Sequence, residues 1–61
     1  MNDTILKYFA YEHLPEHLQE ISKPFGELAD YLDKILPNGP EKTTAFRKLL
    51  ESKDCAVRAM L

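Results

Sequence analysis

The sequence predicts an all-α fold: one antiparallel two-helix hairpin with a kinked first helix, assembling with copies of itself into a helical bundle. Three observations predict it. Leu14, Leu18, Ile21, Phe25, Leu28, Leu32 and Ile35 follow one another at alternating steps of four and three, a heptad-like seam and not a strand alternation. LPNGP, residues 36 to 40, then divides the chain into two helical runs of matched length. At 61 residues the chain is too short to bury a comfortable core alone.

Residues 1 to 13, containing KYFAYEH, read either as an arm or as an added helical turn. Tyr8, Phe9 and Tyr11 suit either of two roles: stapling the end of the hairpin as core, or, for Tyr11, offering a flat face on which a base stacks. The first helix is expected over about 15 to 36, because Pro15 suits a first turn where its missing N–H costs nothing. Inside it lies ISKPFGEL, residues 21 to 28. Pro24 removes the N–H that would bond to the Glu20 carbonyl, so a kink or loosened turn is expected there. Gly26 leaves room for a close neighbour, and Lys23 stands beside the break. Asn38 or Gly39 is expected to take a left-handed cap, with Pro40 opening the second helix over about 40 to 60.

The second helix has three faces on a 100° wheel. Phe46, Leu49, Leu50, Val57, Met60 and Leu61 form an apolar stripe with Lys53 near its centre. Ala45, Ser52, Ala56 and Ala59 form a small-residue ridge. Arg47, Glu51, Asp54 and Arg58 form a charged face with opposite signs at i,i+4. One hairpin has one internal interface, so the second ridge points to contact between chains, although alanines are also simply good helix formers. A buried cation is costly unless paired or at an opening. Lys53 therefore either snorkels outward on its long stem or faces an anion-holding cavity between chains.

The formal charge of −2 argues against a protein that coats DNA or RNA. It leaves room for a small anionic ligand, for which a few converging cations suffice. Cys55 is the only cysteine, so no disulfide staples the chain internally, and a reducing, cytosolic setting is expected. No apolar run is long enough to span a membrane. His13 and His17 lie four apart, but HLPEH is not HExxH and Pro15 separates the pair, so a solvated or capping role is the better reading than a metal site. With no nucleophile elbow and no glycine-rich phosphate loop, no enzymatic activity, cofactor or metal is expected.

Several pieces, in order, resemble the helical-hairpin sponges that phages use against bacterial cyclic-nucleotide immunity, the anti-CBASS sponge and the hairpin part of the anti-Thoeris sponge. YEHLPEHLQEI (11 to 21) is similar to the opening pattern of that family, and KPFGEL (23 to 28) to its lysine, two residues, Gly-Glu pattern. LPNGPEKTTAFRKLLE (36 to 51) is similar to its turn and second-helix start, and AVRAM to its alanine-rich ending with an arginine. Pro24 and the shorter Tyr11–Lys23 spacing depart from the pattern. The resemblance implies a homo-hexamer that binds cyclic di- or trinucleotides between protomers, without cleaving them, in the cytoplasm of an infected bacterial host. It implies that Tyr11 stacks on a base and Lys23 meets phosphate. Phe9, Gly26, Arg47, Lys53 and Arg58 complete the candidate ligand-binding set, with Lys48 a further cation. Cyclic ADP-ribose signals of Thoeris are an alternative ligand, a protein-interaction module docking through Arg47 and Arg58 an alternative function, and a hydrolase built on His13 and His17 a third reading.

Overall fold

The computed structural model describes residues 3–61, and side chains from residue 5 onward. Met1 and Asn2, part of the predicted arm, lie outside the described residues. The element order is α1 (Asp3–Leu6), a 3-10 turn (Lys7–Phe9), α2 (Glu16–Ile35) and α3 (Pro40–Ala59). The hairpin is thus present, with helices of 20 residues each, and no strand occurs among the described residues. The N-terminal segment is an added helical turn that crosses the hairpin.

Each boundary has a local cause. Pro15 (φ −56°, ψ 151°) stands immediately before α2, and its carbonyl accepts the N–H groups of Leu18 and Gln19 at 2.9 Å. The Gln19 side chain reaches back, Nε2 donating to the carbonyls of Leu14 (2.8 Å) and Glu12 (3.2 Å), which ties the preceding bend to the helix. α2 runs as one helix through Pro24. The Glu20 carbonyl there loses its helical donor, and both Glu20 and Pro24 are on the exposed side.

The end of α2 differs from the expected left-handed cap. Leu36 is extended (φ −86°, ψ 136°), and no non-glycine residue has positive φ among the described residues. The reason is Pro37, whose ring pushes the residue before it out of the helical region. Gly39 stands before α3 rather than capping α2, in a backbone conformation (φ 159°) that side chains rarely adopt. Pro40 opens α3 as expected, and Thr43 Oγ1 donates to the Gly39 carbonyl at 3.2 Å.

The core is small. Phe9, Ala29 and Phe46 form its centre, with Ile5, Leu6, Phe25, Leu32, Leu36, Leu49 and Leu50 packed around them. Phe46 is fully buried and meets Phe9 edge to face, with centroids 6.1 Å apart and planes at 85°. That geometry adds about 0.5–1.5 kcal/mol beyond burial.

The seam read along α2 is rotated in the structure. Its packed face is Leu18, Ser22, Gly26 and Ala29, flanked by Phe25 and Leu32, whereas Leu28 and Ile35 are exposed. Small residues win the central positions because α2 accepts two neighbours, α3 and the segment around Phe9. The phenyl rings of Phe9 and Phe46 supply the volume that Ser22, Gly26 and Ala29 leave free. Met60 and Leu61 of the expected apolar stripe follow the end of α3 and are also exposed, since they lie beyond the point where the N-terminal segment crosses. No helix among the described residues is long and apolar enough to cross a membrane.

Candidate functional site

The sequence nominated Tyr11, Lys23, Phe9, Gly26, Arg47, Lys53 and Arg58, and the structure brings part of that set together. Gly26 is buried where the N-terminal segment crosses α2. A Cβ placed on it would lie 2.9 Å from the Phe9 carbonyl oxygen and 3.0–3.1 Å from two atoms of the Tyr11 ring. Real Cβ atoms are not found that close to a backbone oxygen, so only glycine lets the segment lie flat on the helix. Tyr11 is therefore a half-buried ring resting on the backbone of α2. Its own N–H meets Glu12 Oε2 at 3.2 Å.

Lys23 precedes Gly26 by one helical turn. It is exposed and has no hydrogen-bond or ion-pair partner among the described residues. Phe9 is a core residue, turned into the hairpin against Phe46.

A depression of about 200 Å³ sits over this crossing, lined by Leu6, Phe9, Ala10, Tyr11, Glu12, Gly26 and Asp30. Its charged residues are the acids Glu12 and Asp30, and no cation lines it. Sequence reading had not singled out these two carboxylates. Asp30 was within reach, because it falls four residues after Gly26 on the same face. Glu12 was not, because its position depends on the path of an irregular segment.

Lys53 is engaged within the chain. Its Nζ donates to the Tyr8 carbonyl at 2.7 Å and lies 3.5 Å from Asp54 Oδ1. The ammonium thus caps the 3-10 turn, and the cation is satisfied within the chain. Tyr8 itself is exposed, with Lys7 Nζ 5.5 Å from its ring centroid.

Arg47 and Arg58 are exposed on α3, and neither borders the crossing over Gly26. The charged face does not pair at i,i+4 as foreseen. Lys48 meets Glu51 at 3.8 Å, Asp54 turns to Lys53, and Arg58 Nη2 donates to Cys55 Sγ at 3.4 Å. His13, His17 and Cys55 are all exposed, and no cluster of three or more His, Cys, Asp or Glu suited to a metal occurs among the described residues.

The residue that sequence reading missed altogether is Lys42, which is only 5% exposed. Its Nζ donates to the carbonyls of Asp33 (3.1 Å) and Leu36 (3.2 Å) and to Asn38 Oδ1 (3.3 Å), and it lies 3.0 Å from Asp33 Oδ1. It satisfies carbonyls left open at the end of α2. An open, mostly apolar groove of about 320 Å³ beside it is lined by Leu36, Pro37, Glu41, Lys42 and Ala45. With its bonds already made, Lys42 closes the turn and leaves no free cation for a ligand.

Tyr11 thus rests on Gly26, Lys23 stands one helical turn before that glycine on α2, and the two arginines stand on α3. No protein-family model, curated protein sequence or solved structure matches the chain.

Proposed function

We propose that this chain is a non-enzymatic binding protein that assembles with copies of itself and sequesters a small anionic nucleotide between protomers. The observation that carries the reading is the half-buried Tyr11 ring laid on Gly26, with the uncommitted Lys23 one turn away on α2. A stacking face beside a free cation is the minimal equipment for a base joined to a phosphate. The resemblance of four pieces between residues 11 and 60 to phage sponges supplies the ligand class, cyclic di- or trinucleotides of CBASS-type defence, with cyclic ADP-ribose as the alternative. It also supplies the hexamer and the infected-host cytoplasm as the setting. Pro24, next to Lys23, leaves the Glu20 carbonyl without its helical donor.

The depression over Tyr11 constrains this reading. Glu12 and Asp30 repel phosphate, so an anion would lie on the Lys23 side of Tyr11 and draw further positive charge from another copy. Arg47 and Arg58, exposed on α3, are the groups another copy would present.

Titration calorimetry with a panel of cyclic di- and trinucleotides and cyclic ADP-ribose isomers tests the proposal. Binding is expected, weakened by Tyr11→Ala and by Lys23→Ala while the assembly mass is unchanged. Absence of heat with every ligand at micromolar concentrations would end it. Recovery of unchanged ligand after heat denaturation separates a sponge from a hydrolase.

The same two carboxylates favour a second reading, a protein-interaction module with no nucleotide. It predicts a protein partner captured through Arg47 or Arg58 whose binding is indifferent to nucleotides.

A further inference from the structure

Three features of the described residues are left unused by the reading above. The groove beside Lys42 has its cation fully engaged, which leaves the Glu41 carboxylate as the one uncommitted polar side chain in its lining, too little to define a ligand. Ser22 Oγ is buried without a hydrogen-bond partner, but it sits in the packed face of α2 and lines neither depression. The third feature is an apolar stripe on the outer side of α2, and it carries an inference.

Leu28, Tyr31 and Ile35 are 43%, 59% and 53% exposed, and the exposed Pro24 extends their line by one turn. The steps between the four residues are four, three and four, the spacing of a coiled-coil seam. They lie on a different side of α2 from the face that packs α3 and Phe9. Scattered exposed apolar residues are ordinary, but a continuous heptad seam on a helix whose own partner is elsewhere is not.

We infer that this stripe is a two-fold contact surface for a second copy of this chain, bordered by reciprocal Glu27–Lys34 ion pairs. The argument is self-complementarity. Run α2 antiparallel to a second α2, and the seam closes on itself: Leu28 of one copy faces Tyr31 of the other, and Pro24 faces Ile35. Both pairings share one centre, so a single two-fold axis satisfies all four positions at once.

The border follows from the same axis. Glu27 and Lys34 each precede a seam residue by one position and so stand on the same edge of the stripe. A perpendicular two-fold keeps that edge facing its own equivalent, which sets Glu27 of each copy against Lys34 of the other. Both side chains are exposed, and neither has an ion-pair partner among the described residues. A parallel arrangement would instead turn Glu27 and Lys34 of each copy toward the Phe25 and Leu32 edge of the other, where no opposite charge meets them. The charges therefore select the antiparallel pair. The opposite edge is Phe25 and Leu32, already part of the hairpin core, so the apolar surface of the two copies becomes continuous across the contact. Two hairpins joined in this way make a four-helix bundle, the size at which such short chains gain a sufficient core.

This inference deepens the self-association in the proposed function, but it needs no ligand. It also places that association on α2, where sequence reading placed it on the alanine ridge of α3.

Sedimentation equilibrium of the nucleotide-free protein, from about 1 µM to about 1 mM, tests it. The expected mass rises with concentration toward an even multiple of the chain. Tyr31→Asp, at an exposed position that the fold does not need, should keep the helical circular-dichroism spectrum and abolish that rise. Glu27→Lys and Lys34→Glu should each raise the midpoint concentration by about tenfold, because two attractive pairs become repulsive. Mixing those two variants should restore association near the wild-type midpoint, since every cross-pair is again of opposite sign. A monomer throughout, association indifferent to Tyr31→Asp, or a mixture that does not recover would each overturn the inference. The two proposals fail separately: association without calorimetric heat counts only against the sponge, and nucleotide binding by a Tyr31→Asp-insensitive assembly counts only against this face.

Discussion

Two lysines on one face of α3, eleven positions apart, close the two ends of the hairpin and do so unequally. Lys42 at the turn is almost fully buried, holding two carbonyls, Asn38 and the Asp33 carboxylate. Lys53 at the other end holds one carbonyl, that of Tyr8, with Asp54 alongside. The turn joins two long helices in sequence, so its bonds are local and can be saturated. The far end must hold a short segment of α-turn and 3-10 turn that arrives from elsewhere in the chain. That segment carries Tyr11, so the weaker fastening lies under the candidate ligand contact. Phe9 anchors that segment in the core, but fewer side-chain bonds fasten it than close the turn, so it is expected to open before the turn does.

Exchange of each lysine for methionine breaks the comparison most directly. Lys42→Met removes a buried ion pair and leaves the carbonyls of Asp33 and Leu36 without this donor, a loss of about 2–4 kcal/mol. For a chain this small, that is most of the stability expected of it. Lys53→Met should cost about 1–2 kcal/mol. The difference is read in urea melts, and its location in amide exchange: Lys53→Met should speed exchange in residues 5 to 11 and leave the turn protected. Equal losses for the two variants would mean the ends are fastened alike.

Gly26→Ala sharpens the comparison from the α2 side. An added Cβ meets the Phe9 carbonyl oxygen and the Tyr11 ring, and the crossing segment has to shift. The strain of about 1–3 kcal/mol is partly offset by about 1 kcal/mol of helix propensity. The expected net loss is therefore about 1 kcal/mol, with the near-ultraviolet circular dichroism of Tyr11 altered and α2 and α3 still helical. A more stable protein with unchanged tyrosine signals would show that the segment does not press on Gly26.

Ser22→Ala is the smallest change. Its hydroxyl is buried without a partner, so replacing it removes a desolvation cost and keeps the volume nearly constant. A gain of up to about 1 kcal/mol is expected in the same melts. A loss would mean that the hydroxyl is bonded in solution, for instance to a carbonyl one turn back on α2.

The hairpin was legible because its signals are local. Pro15, Pro40 and the LPNGP turn act through backbone sterics within a few residues, and alternating steps of four and three mark a helix whatever it packs against. The rotation of α2 was not legible, because Ile21, Leu28 and Ile35 share one apolar pattern with Leu18, Phe25 and Leu32. Only the arrival of Phe9 across Gly26 decides which side turns inward. Lys42 looked like any surface lysine for a similar reason. Its bonds are to backbone carbonyls, and a carbonyl has no signature in sequence until the chain path brings it near.

The sequence alone determined two helices of matched length, the stop between them, and a glycine inside the first that has to serve a close approach. The tertiary structure decided what approaches Gly26, which lysines are committed and which stay free, and which apolar stripe is left outside. The physical reason is range. Helix starts, stops and faces follow from steric and hydrogen-bonding rules that act within a turn or two. The fate of each cation and each apolar face depends on partners many residues away, as with Tyr8 and Lys53, which meet only once the chain has folded.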